Sequence, residues 1–466
     1  MPRYASPVTV FFSLLVGSLI AGCLLYSRQS TPQSAPIFHF SRTDFLATNS
    51  SRSFLYQNTS PCYDFTSEDF ANKTRCETGV IPGAYWPSSS GAAPRTGRES
   101  VLYGTASAQQ AIYAHQHPRD CRTAKFLVVH FSSHRHGLGS AIHMMSYGLA
   151  TAMKMGRVYI HGAGAEAWTE GNTLCHPTSL LDECLLQPMS SCSLEDVMRG
   201  EMAPFTSELN PAKWHAHRVI QTKDIVGDFS SFPPTLRDML ANGPIPLGSE
   251  NYTGSAACVV PFPDAAGNDA YAVQWWRAQS TSYVYRPIPR VLRAIREHMK
   301  TVFQAGVIPP GTIGVHVRRG DKEKESYDIT DDEYLPRVEA LHAASTAAGV
   351  PLKRTIYLST EDNVTLAVFK SWDDWTVLHT DVPRYHEKIS PMAFAAQMGV
   401  SEVILNDLVS LELALQCDAW MGSLSSGWVR LIHELRSTVR CKADLLFFDS
   451  RFGLNFTYTT GIASLW

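Results

Sequence analysis

The 466-residue sequence predicts an α/β protein with two units built on parallel sheets. Three observations carry this expectation. Short β-branched runs alternate with amphipathic helical stretches through the second half of the chain. A strand, a glycine-bearing loop, a helix and a second strand open the first half. An apolar content of 44% over this length is enough for two or three cores.

The elements follow in order. Pro7 to Tyr26 carries no charge and is flanked by Arg3 and Arg28. Its twenty residues can cross a bilayer, so residues 1–30 read as a cytosolic tail and signal-anchor helix. A cleaved signal peptide is the competing reading, and Leu19-Ile-Ala-Gly-Cys23 resembles a bacterial lipoprotein box. Six of the eleven asparagines (Asn49, Asn58, Asn72, Asn251, Asn363 and Asn455) stand in Asn-X-Ser/Thr signals. Chance would place about two there, which favours the eukaryotic secretory route and the anchor. Residues 31–110, rich in Ser, Thr, Gly and Pro, read as a glycosylated flexible stem that a Cys62–Cys76 bridge would pin.

Residues 111–290 form the first α/β domain in this reading. Its strand is Lys125–Phe131, its loop His134-Arg-His-Gly-Leu-Gly139, and its helix carries Ile142, Met145, Leu149 and Met153 at spacings of three and four. A second strand runs from Arg157 to His161, and residues 162–290 read as an irregular, cysteine-bearing remainder. Cys175, Cys184 and Cys192 are spaced like a disulfide-stapled loop, and nine of the ten cysteines lie beyond the anchor stretch, an odd count that leaves one thiol free or shared between chains. No Cys-x-x-Cys occurs, so structural zinc is not expected. The loop lacks the third glycine of the dinucleotide fingerprint, which argues against a nicotinamide cofactor. His134 and His136 read as loop packing and Trp275-Trp276 as core.

Residues 291–450 read as a second, regular domain: helix 291–304, strand 312–318, helix 332–348, strand 355–359, helix 363–371, strand 375–378, helices 391–399 and 407–416, strand 419–421 and helix 426–437. Residues 451–466 are a C-terminal extension. In such sheets ligands sit outside the strand C-terminal ends. At those ends lie an Arg-Arg turn, the pair Glu361-Asp362 and the loop Ser423-Leu-Ser-Ser-Gly427. The turn belongs to Thr312-Ile-Gly-Val-His316-Val-Arg318-Arg319-Gly320-Asp321-Lys322, where a buried strand delivers a histidine and three cations to one spot. Guanidinium forks suit a diphosphate and can neutralise it without a metal.

Other functions fit poorly. A net charge of −3 gives no general attraction to nucleic acid. His433-Glu434 has Ser437 where a zinc protease needs a second histidine, and the serine loop lacks the Gly-x-Ser-x-Gly elbow.

Three ordered segments, across roughly residues 125–440, resemble the α1,6-fucosyltransferases of glycosyltransferase family 23. They are His136-Gly-Leu-Gly-Ser-Ala-Ile-His143, Ile313-Gly-Val-His-Val-Arg-Arg-Gly-Asp-Lys322 and Cys417-Asp-Ala-Trp-Met-Gly-Ser-Leu-Ser-Ser-Gly-Trp-Val-Arg430. The resemblance implies the GT-B fold, two Rossmann-like halves facing a cleft, and a Golgi type II membrane protein with a luminal catalytic part. It implies GDP-fucose as donor, an N-acetylglucosamine of an N-glycan as acceptor, and neither metal nor cofactor. On the matching residues it implies Arg318 and Lys322 at the leaving group, with Arg319 either there or orienting the donor or the base. It further implies His316, Asp407, Glu361, Asp362, Ser425, Ser426, Gly137 and Gly139 around the donor. The family's base position falls on Ser326, but counting back from Glu333-Tyr334 puts Glu325 in register, with Glu323 as the alternative. The sequence ends at Trp466 without the C-terminal SH3-like domain of animal members and its stem shows no coiled coil, which leaves acceptor choice and dimerisation by the animal route open. A protein O-fucosyltransferase-like or chitin-oligosaccharide enzyme, or a sugar-binding protein without turnover, are the alternatives.

Overall fold

A computed structural model describes residues 105–130, 137–162, 172–175, 181–199, 217–223, 277–319, 329–384, 389, 391–440, 442–443, 445–451 and 453–454, all within the unit Phe54–Trp466. The anchor stretch, the Cys62–Cys76 pair, every glycosylation signal except Asn363, His134, His136, Trp275-Trp276, Lys322, Glu323 and Glu325 lie outside the described residues. Among the described residues no helix is long and apolar enough to cross a membrane.

The first sheet is parallel, in the order β2-β1-β3. Its strands are β1 (Phe126–His130), β2 (Val158–Gly162) and β3 (Val219–Lys223). Between β1 and β2 runs α2 (Leu138–Lys154), whose Ile142, Met145, Leu149 and Met153 are buried. Helix α1 (Thr105–Gln116) begins inside the stretch read as stem and is tied into this half, with the Gln116 amide donating to the Tyr159 carbonyl at 3.1 Å. β3 and the helical residues 277–284 lie in the region read as irregular. The cysteine loop is stapled as Cys175–Cys184, whereas Cys192 pairs with Cys121 and Cys417 is a buried free thiol.

After α3 (Pro289–Val302) comes the second sheet, order β6-β5-β4-β7-β8-β9. Its strands are β4 (Ile313–Val317), β5 (Thr355–Thr360), β6 (Thr376–Leu378), β7 (Ala419–Gly422), β8 (Phe447–Asp449) and β9 (Gly453–Leu454). All neighbours are parallel except β9, which falls in the stretch read as an extension and pairs antiparallel with β8. The helices are α4 (Asp331–Ala347), α5 (Asn363–Lys370), α6 (Pro391–Met398), α7 (Val400–Gln416) and α8 (Gly427–Thr438). Helix α7 starts at Val400, not at Asp407, because Gly399 at φ +94° turns the chain directly out of α6.

Glycine at two positions lets elements approach. A Cβ on Gly314 would stand 2.0 Å from the ring of Trp420, the fully buried residue beside it on β7. A Cβ on Gly139 would meet the backbone of Gly427 and Trp428 at 3.2 Å, so the N-terminal turns of α2 and α8 touch. One apolar cluster joins the halves, running from Leu127, Ile142 and Leu149 to Ile404, Leu411 and Ile432. From β4 the chain steps to β5 and β6 on one side, and later to β7 and β8 on the other. The reversal of strand order opens a crevice at the C-terminal ends of β4 and β7.

Candidate active site

That crevice collects the side chains singled out in the sequence. β4 and β5 are in register with His316 beside Ser359 and Val317 beside Thr360, so the residues that follow, Arg318-Arg319 and Glu361, emerge level with each other. Glu361 Oε1 accepts from Arg318 Nη1 at 2.6 Å and from the Arg319 backbone N–H at 2.7 Å. Burial pushes the Glu361 carboxyl up, against the pull of Arg318. Asp362 does different work: its carboxylate caps α5, accepting from the Val364 N–H at 2.7 Å.

The two arginines diverge. Arg319 swings to Asp331, the first residue of α4, at 2.5 Å, and lies 5.9 Å from the Tyr334 ring centre. Arg318 stays near His316 and Asp407, each of which feels its charge.

His316 is 7% exposed, and its Nε2 is buried with no hydrogen-bond partner among the described residues. Burial, then Arg318, lowers its pKa to about 3, so the ring is neutral. A chain of hydroxyls reaches its other ring nitrogen. Tyr357 OH donates to Ser410 Oγ at 3.2 Å, Ser410 lies 2.9 Å from Ser359 Oγ, and Ser359 lies 3.2 Å from His316 Nδ1. Nδ1 is thereby engaged on the Ser359 side, and Nε2 is the ring nitrogen left buried without a partner among the described residues.

Asp407 sits mid-helix on α7, one turn before Ser410, and burial pushes its carboxyl up to about 7 despite Arg318, with Glu361 adding to the rise. Around neutrality it exchanges a proton, which suits a group that must accept hydrogen bonds only when a ligand arrives.

On the other side of the switch point, the serine loop links β7 to α8. Ser423 Oγ and Ser425 Oγ are 2.7 Å apart, and the Leu424 N–H donates to the buried Asp449 at 2.8 Å. Arg430 Nη1 donates to the carbonyls of Leu424 and Ser425 at 3.0 and 3.2 Å. Ser426 is the N-cap residue of α8 and Gly137 that of α2, so two helix N-termini, with their partial positive charge, adjoin. Behind them, Glu434 of α8 bonds His143 Nε2 of α2 at 2.9 Å and lies 3.0 Å from Arg277, all three essentially without exposure.

Sequence reasoning missed Asp331, Ser359, Ser410 and the Glu434 cluster. Only Asp331 left a trace, in the Thr330–Glu333 capping pattern that opens α4. Among the described residues no group of three or more metal-ligating side chains comes together.

No protein-family model matches the chain. No curated protein sequence matches it. Among solved structures it is similar to NodZ α-1,6-fucosyltransferase of Bradyrhizobium soaked with GDP-fucose, with 16% identity and a TM-score of 0.36 over 67% of this chain and 92% of that one. It is similar to a variant of Arabidopsis thaliana FUT1 in complex with GDP, with 12% identity and a TM-score of 0.37 over 78% and 81%. POFUT1 in complex with GDP-fucose shares 10% identity and a TM-score of 0.33 over 68% and 95%. At TM-scores from 0.33 to 0.37, these likenesses decide neither the activity nor the substrate of this chain.

Proposed function

We propose that the chain is an inverting, metal-independent glycosyltransferase that moves fucose from GDP-fucose to N-acetylglucosamine of an N-glycan core in α1,6 linkage. One observation carries the reading. At the switch point a cation, Arg318, stands beside a buried ring nitrogen without a partner among the described residues, His316 Nε2, and a carboxyl poised near neutrality, Asp407. Together they complement a guanine nucleotide: Nε2 of the neutral ring pairs with a polar base or ribose atom, Asp407 accepts base or ribose donors, and Arg318 meets the diphosphate. Fucose and its acceptor are supported by the three ordered motifs. The uncharged N-terminal stretch and the glycosylation signals support a Golgi membrane location.

The chemistry balances on these groups. The acceptor oxygen attacks the anomeric carbon of fucose, the bond from that carbon to the β-phosphate oxygen breaks, and configuration inverts. Arg318 and Lys322 offset the charge that develops on GDP, and Glu325 takes the acceptor proton.

The test is a donor and acceptor screen with EDTA present. Transfer from GDP-fucose to an N-glycan is the expected result, whereas strict dependence on Mn2+, or transfer only to protein or chitin oligosaccharide, would overturn that part of the reading. In the same assay Glu325→Gln lowers kcat by about 10²-fold or more with GDP affinity unchanged, the scale of a lost general base. The same loss in Glu323→Gln alone would move the base by two residues.

Asp407 gives a pH signature. With its pKa near 7 in the empty site, binding through the carboxylate must expel a proton at lower pH. Affinity for GDP-fucose, whose diphosphate diester does not titrate in this range, falls as pH drops below 7, by up to about tenfold per unit. Asp407→Asn binds more weakly and flattens that profile. A pH-independent wild-type Kd between pH 5.5 and 8 would remove Asp407 from the site.

A further inference from the structure

Glu361 explains how the backbone of Arg319 is held; a second carboxylate holds its side chain. Asp331 takes the Arg319 guanidinium at 2.5 Å, with the two side chains only 16% and 18% exposed. The same carboxylate accepts the Thr365 hydroxyl, at 3.0 Å through Oδ1 and 3.2 Å through Oδ2. Thr365 is fully buried in the first turn of α5, so its hydroxyl has no competing water and Asp331 is fixed from behind. Three elements are thereby tied at one carboxylate: the end of β4, the first residue of α4 and the first turn of α5.

We infer that Asp331 and Thr365 are positioning residues for the donor site: the Thr365 hydroxyl aims the Asp331 carboxylate, which locks the Arg319 guanidinium and leaves Arg318 to face the nucleotide. This rests on reading the crevice as a GDP-sugar site. An arginine pinned at its backbone by Glu361 and at its side chain by Asp331 loses little entropy when substrate arrives, and its charge stays at a fixed distance from the diphosphate. The pair also brackets the sequence that carries Lys322 and Glu325, since Arg319 precedes it and Asp331 follows it. Because the two arginines are adjacent in sequence, they look equivalent there. The carboxylates they meet, Glu361 and Asp331, give them different tasks.

Thr365 has a second identity that the test must separate, because Asn363-Val-Thr365 is a glycosylation signal and Asn363 is exposed. Four variants of the full chain, made in a glycosylating host, do so. Asn363→Gln removes the signal and keeps the hydroxyl; Thr365→Ser keeps both; Thr365→Val removes both at equal volume; Asp331→Asn removes the charge. Steady-state kinetics with GDP-fucose and calorimetry with GDP are the readouts. Asp331→Asn and Thr365→Val are expected to lower kcat/KM by about tenfold or more with a raised KM for GDP-fucose, as a displaced charge would. Thr365→Ser rescues both parameters, and Asn363→Gln matches wild type. A purely structural role would lower the melting temperature and the active fraction but leave KM unchanged, and that result would overturn the inference. So would a defect in Asn363→Gln equal to that of Thr365→Val, which would assign the effect to the glycan. A wild type that binds GDP while Asp331→Asn matches it in KM and kcat refutes the relay alone; a wild type that binds no GDP refutes the donor-site reading and the relay with it.

Discussion

Arg318→Lys is expected to lower kcat/KM for GDP-fucose by about 10²-fold or more, roughly 2.7 kcal/mol of transition-state stabilisation, while the protein keeps its fold. The argument is geometric. Glu361 anchors Arg318 through Nη1 at 2.6 Å, and a guanidinium, with five N–H donors in a planar fork, can serve a carboxylate and a phosphate together. An ammonium anchored to the same carboxylate is a point charge and has no second edge to present. Lysine should therefore retain the ion pair and the melting temperature but lose recognition of the leaving group. Arg318→Ala adds a second loss, because Glu361 is then left partly buried without its cation, and the fall in kcat/KM should be deeper. Parallel measurement of kcat/KM, GDP affinity and thermal melting separates these effects. A lysine variant within about threefold of wild type would end the bidentate argument and shift the leaving-group role to Lys322.

Much of this site was legible because its chemistry is local. The β-branched run before Arg318-Arg319 announces both a buried strand and the place where it delivers charge, and β4 is found within a residue of the expected bounds. The helix ends were harder to place. Glu361 and Asp362 look like one acidic pair, yet alternation along the chain sends the first to Arg318 and the second to the backbone of α5. Asp407 was assigned to the site although its helix was started at the wrong residue. The real start, Val400, follows an N-cap glycine, Gly399, that uses a positive φ in place of a side-chain cap and leaves no cap pattern to read. Asp331 lies in an acidic first turn, a pattern that ordinarily serves the helix dipole and so hides a specific partner. Ser359 and Ser410, 51 positions apart, meet only once the strand and helix have packed.

The Glu434 cluster is the extreme case of such non-local pairing, and it gives the largest expected change in stability. Glu434 meets His143, 291 positions earlier, and Arg277, so a carboxylate of the second half is neutralised by a cation of the first. His143 and then Arg277 hold the Glu434 carboxyl down at about 2 despite burial. Burial lowers His143 to about 4, so with Arg277 present the imidazole stays neutral and donates its Nε2–H. Glu434→Gln keeps the shape and a hydrogen bond to His143 but removes the carboxylate that meets the fully buried Arg277 guanidinium at 3.0 Å, at a cost of about 3–5 kcal/mol. The cost should appear as a lower melting temperature at neutral pH. The sign with pH follows from the two depressed pKa values. The contribution of His143 is fully present above about pH 6.5 and fades as pH falls toward 4, and that of Glu434 fades between about 4.5 and 2. Stability of the wild type should therefore drop in two stages on acidification, and the lower stage should be missing from Glu434→Gln. Replacing Glu434 and Arg277 together by methionine removes both charges at similar bulk, and should recover most of the melting temperature, since a buried pair contributes little beyond its apolar equivalent. A Glu434→Gln protein that melts with wild type would show that the contact joining α2 to α8 depends on the close approach at Gly139 and Gly427 and not on the charges behind it.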